Sequence, residues 1–80
     1  MTGSYSYSGN LQKDVNTDQT YIVSLWAKYE ALVNGLQGTV VNSKRGWTLY
    51  QWTIHGVSTV SVTGNTIDEV RLTPKDANIT

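Results

Sequence analysis

Apolar and polar residues alternate with a period of two along most of the chain. The clearest run is 20–29, TYIVSLWAKY, in which Tyr21, Val23, Leu25 and Ala27 fall on one side and Ile22, Ser24, Trp26 and Lys28 on the other. Successive side chains of an extended backbone point to opposite faces, so this run predicts a strand whose first set faces a core. Residues 47–55, WTLYQWTIH, repeat the pattern: Trp47, Leu49, Gln51, Thr53 and His55 on one side, Thr48, Tyr50, Trp52 and Ile54 on the other. Shorter runs at 4–8, 57–63 and 66–72 extend the series. They set Tyr5 and Tyr7 on one face, turn Val60 and Val62 inward, and turn Val70 and Leu72 inward with Asp68 on their side. A helical alternative competes at 24–36, where Leu25, Tyr29, Leu32 and Val33 lie at helical spacings.

The breaks between these runs carry turn residues. Residues 10–19, NLQKDVNTDQ, read as a polar loop. Asn34-Gly35 suits a two-residue hairpin, because both residues tolerate positive φ; residues 36–41 form its second arm, with Gly38 as a bulge. Residues 42–46 read as a charged turn, Gly56 ends the strand 47–55, and Gly64-Asn65 turns the chain into a final strand that Pro74, lacking an N–H, closes. Six or seven short strands in one unit of 80 residues predict an all-β, antiparallel β-sandwich or a partly open barrel.

Composition narrows the function. Six basic residues balance six acidic ones, which removes the electrostatic footprint of a nucleic-acid partner. The first eight residues contain neither a basic nor an apolar region, so they read as neither a signal peptide nor a membrane span; no membrane insertion is expected, and an export signal would belong to a longer parent chain. Cysteine is absent, which excludes disulfides and thiolate metal sites.

The catalytic inventory is thin. His55, the sole histidine, has no evident partner in sequence, and Asp68 and Glu69, as neighbours on a strand, point apart and cannot flank one glycosidic bond. An enzyme is not expected. Three tryptophans and five tyrosines, with no phenylalanine, favour rings that carry a polar handle. Such rings suit either a small β core or a surface that stacks on sugar.

Four blocks, TGSYSYSG, TYIVSLWAK, WTLYQWTIHGVSTVSVTG and IDEVRLTPKDANIT, together resemble the carbohydrate-binding-module-like domains of large secreted Bacteroidetes proteins, notably those that precede rearrangement-hotspot (Rhs) type repeats. Those domains are similar to galactose-binding-like jelly rolls, whose closing strand resembles Ile67-Asp68-Glu69-Val70-Arg71-Leu72. The resemblance implies a jelly-roll-like sandwich, shortened relative to relatives that carry strands upstream of the first block, and excised from a larger secreted or cell-surface protein. It also implies a non-catalytic module that holds its parent on polysaccharide, with neighbouring domains of the parent chain as further partners.

Sugar rings stack their C–H faces on indole or phenol rings, so Trp26, Trp47, Tyr50 and Trp52 are the candidate platform, with Lys28 as a hydrogen-bonding neighbour. Trp26 leads, because it lies opposite the core face of its strand, whereas Trp52 reads more like core and Trp47 like rim. No cofactor is expected. In similar modules the closing-strand acid joins a structural calcium site, which makes Asp68 a candidate ligand, set against a carboxylate satisfied by backbone donors or exposed by the strand's register. The competing reading of the whole chain is a structural spacer or adhesion module of the same fold that binds no sugar.

Overall fold

A computed structural model describes residues 4–75, with side chains described from residue 12 onward. It contains β1 (Ser4–Asp14), β2 (Thr20–Ala27), β3 (Ala31–Val33), β4 (Leu36–Gln37), β5 (Thr39–Lys44), β6 (Trp47–His55) and β7 (Thr59–Pro74). Every pairing is antiparallel, as period-two patterning requires. The helical alternative at 24–36 fails: those residues form the end of β2, then β3 and the start of β4. The faces of Tyr5 and Tyr7 lie outside the described side chains, and residues 76–80 lie outside the described chain.

β7 organises the sheet. β1 pairs with it along one edge, while β2 and β3 pair in succession with its other edge, and the path continues from β2 to β6 and β5. The order β4-β3-β7-β2-β6-β5 places β4 and β5 at opposite ends, yet a single residue, Gly38, joins them. A one-residue link between the two ends requires the sheet to curl until they approach, so it is nearly closed into a barrel. Trp52 secures the approach: its indole N–H donates to the Leu36 carbonyl at 2.9 Å, and a Cβ on Gly38 would lie 2.7 Å from its ring. Only glycine leaves room for that contact, so Gly38 interrupts the hairpin arm expected at 36–41 rather than bulging it.

The core fills the concave side. Tyr21, Val23, Leu25 and Ala27 of β2 are buried, as their alternation predicts, together with Ala31, Val33, Trp52, Ile54, Val60, Val62, Ile67, Val70 and Leu72. Asn34 and Gly35 hold φ of 51° and 76° and make the expected two-residue turn between β3 and β4. Arg45 and Gly46, at 54° and 83°, make another between β5 and β6, so the turn expected over 42–46 contracts to two residues and Asn42 to Lys44 join β5.

Two further expectations give way. The polar stretch 10–14 is strand, because Asn10 to Asp14 pair with Thr63 to Thr59 on an edge where no hydrophobic face is needed. Gly64-Asn65 is no turn: β7 runs through it for 16 residues, and a Cβ on Gly64 would overlap the Ile67 side chain. Glycine serves there for closeness rather than for a positive φ.

Candidate functional site

The outer face of the β7-β2-β6-β5 region carries the strongest constellation. Trp26 on β2 lies in register with Leu49 of β6 on one side and Asp68 of β7 on the other, and Trp47 lies in register with Lys44 of β5. Trp26 and Trp47 are therefore diagonal neighbours on one face, close enough for large rings to share a surface. Both are half-buried. An open hollow of about 300 Å³ runs between them, lined by Trp26, Lys44, Arg45, Trp47, Asp68 and Glu69. Lys28 adds a cation, with Nζ 5.8 Å from the centroid of the Trp47 ring, within cation–π range.

A β-bulge brings the two acids into this hollow. Two steps along β2, from Ser24 to Trp26, match three along β7, from Arg71 to Asp68, so β7 carries one extra residue there. Glu69 absorbs it with φ 52°, and the Asp68 carboxylate accepts the Glu69 N–H at 2.9 Å. Ile67 and Val70, three apart, can then both face inward. This corrects the strict alternation expected of 66–72: Asp68 does not share the face of Val70 and Leu72, and Asp68 and Glu69 do not point apart but line one hollow.

The bulge also turns Asp68, the candidate calcium ligand, to the outer face. Among the described residues no carboxylate is buried and no three His, Asp or Glu side chains converge. Lys44 and Arg45 line the same hollow, and two carboxylates beside two cations do not fit an ion that takes about six to eight oxygens.

The remaining candidates lie elsewhere. Trp52 is 5% exposed with its N–H used internally, so it packs in the core and leaves the candidate platform. Tyr50 packs beside it, ring centroids 6.0 Å apart, and lines a separate hollow of about 340 Å³ with Glu30, Ala31, Gln37, Gly38 and Val40. His55 Nδ1 sits 2.8 Å from the Thr20 hydroxyl, its partner across the ladder. Of the five residues expected to contact sugar, the structure thus groups Trp26, Trp47 and Lys28, and separates Tyr50 and Trp52. Lys44, Arg45 and Glu69 join the group without having been singled out. The Arg45-Gly46 hairpin could have pointed to the first two; only the bulge reveals Glu69.

No family model, curated protein or solved structure matches the chain. The outer-face geometry is therefore the basis for a functional reading.

Proposed function

We propose that the protein is a non-catalytic carbohydrate-binding module that holds a larger secreted or surface protein on polysaccharide. The observation that carries this reading is the pair of half-exposed indoles, Trp26 and Trp47, flanking a shallow hollow edged by charged side chains. A pyranose stacks its C–H face on an indole while its hydroxyls exchange hydrogen bonds with charged and amide groups at the rim. Lys28 stands against the Trp47 ring, which makes Trp26 the stacking platform and Trp47 the wall beside it. The hollow is open to solvent, so a sugar unit within a longer chain can reach it.

Affinity gel electrophoresis against a panel of soluble polysaccharides tests the reading. At least one polymer should retard the protein, and Trp26→Ala, with an unchanged circular dichroism spectrum, should weaken binding by about 2 kcal/mol or more, as loss of a central aromatic anchor does. Equal retardation of Trp26→Ala, or no retardation by any polymer, would overturn it. The spacer reading draws on a different surface, the exposed Leu36, Val40 and Val41 along β4 and β5, where a neighbouring domain of a parent chain would dock.

A further inference from the structure

The charges around the two indoles are sorted by sign. Lys44 faces Trp47 across the β5–β6 ladder, Arg45 follows at the hairpin tip, and Lys28 stands over the Trp47 ring. Half of the chain's six basic residues thus gather at the Trp47 end, in a molecule of zero net charge. Asp68 and Glu69 hold the opposite, β7 side, beyond Trp26. The Asp68 carboxylate accepts the Glu69 N–H at 2.9 Å, which fixes it at the bulge, and Glu69 beside it is exposed.

We infer that the hollow selects an acidic polysaccharide, one whose sugar units carry a carboxylate, as uronates do. The inference rests on the carbohydrate reading above and names its substrate class. A uronate stacked on Trp26 presents hydroxyl donors along one edge and a carboxylate on another, matching the Glu69 carboxylate on β7 and the cations at the β5–β6 hairpin. Arg45 supplies the planar fork that a carboxylate accepts in bidentate fashion, and Lys44 and Lys28 supply point charges on either side of Trp47. A neutral sugar would meet the same stacking surface but leave the cationic end without a complementary group. The exposure of these cations makes the attraction sensitive to salt.

The test compares polygalacturonate, its fully methyl-esterified form and poly-glutamate, by isothermal titration at low and physiological salt. The proteins are the wild type, Trp26→Ala and the double variant Lys44→Gln/Arg45→Asn. Asparagine suits the left-handed backbone at position 45, where φ is 54°, so the double variant keeps its turn. The wild type should bind polygalacturonate at least about tenfold more tightly than the ester, and the double variant should lose that preference, its affinity falling far more for the acid than for the ester, in line with the strength of charge-assisted hydrogen bonds. Trp26→Ala should weaken both. Equal binding of acid and ester, unchanged in the double variant, would overturn the acidic preference and leave the carbohydrate reading standing. Binding of poly-glutamate as tight as that of polygalacturonate and indifferent to Trp26→Ala would mark simple ion exchange and overturn both, whereas no binding to either galacturonan form would overturn the acidic preference alone.

Discussion

Glu69 occupies a backbone conformation that L-residues avoid, with φ 52°, and it does so at the bulge that turns Asp68 outward. Left-handed geometry costs a non-glycine residue about 1–2 kcal/mol, partly offset in glycine by its greater chain entropy. Glu69→Gly should therefore leave stability unchanged or raise it by up to about 1 kcal/mol, whereas the β-branched Glu69→Val should lower it by about 1–2 kcal/mol, both read from urea unfolding. Equal tolerance of valine and glycine would mean the bulge is not held at this residue. Three positions further on, Leu72 is 4% exposed, while Arg71 before it is exposed, so Leu72→Ala should cost about 2–4 kcal/mol and Arg71→Ala well under about 1 kcal/mol. The inward set of Val70 and Leu72 was legible in the sequence because alternation holds on that side of the bulge. The placement of Asp68 was not, because one extra residue in a strand leaves no mark on composition and reverses every face beyond it.

At the scale of elements, legibility followed burial. β2 was readable because one of its alternating faces is wholly apolar, β6 because Tyr50, Trp52 and Ile54 share a face, and the turn at Asn34-Gly35 because few dipeptides tolerate two positive φ values. Asn34 does more than turn the chain. Its side chain accepts the Ser61 N–H at 2.7 Å and donates to the Thr59 carbonyl at 3.2 Å, tying the hairpin to the start of β7. Asn34→Ala should accordingly cost about 1–3 kcal/mol, through two lost hydrogen bonds and a strained φ, and Asn34→Gly should recover only the strain. If both variants unfold at the wild-type denaturant midpoint, the side-chain bonds contribute nothing. β1 beyond residue 9 was illegible for the converse reason, since a polar edge strand needs only backbone partners, and its register comes from β7 rather than from its own pattern. The run through Gly64-Asn65 was hidden because glycine marks both turns and close approaches, and sequence alone does not separate the two.

For the whole molecule, closure of the sheet depends on one tryptophan and one glycine. Trp52 bridges from β6 to the Leu36 carbonyl across the curl, and Gly38 lets the indole lie against the backbone where β4 becomes β5. Gly38→Ala forces a methyl group into that ring and should cost about 1–3 kcal/mol, lowering Tm by roughly 4–8 °C per kcal/mol in a domain of this size. With Trp52 committed to the core, the outer face keeps Trp26 and Trp47, and the carbohydrate reading depends on the difference between these environments. The three indole N–H resonances of a ¹⁵N-labelled sample report on it directly. Titration with oligosaccharides of a polymer that retards the protein should shift the Trp26 and Trp47 resonances in a saturable manner while that of Trp52, hydrogen-bonded to Leu36, stays in place; three unmoved resonances, or movement confined to Trp52, would contradict sugar binding at the outer face.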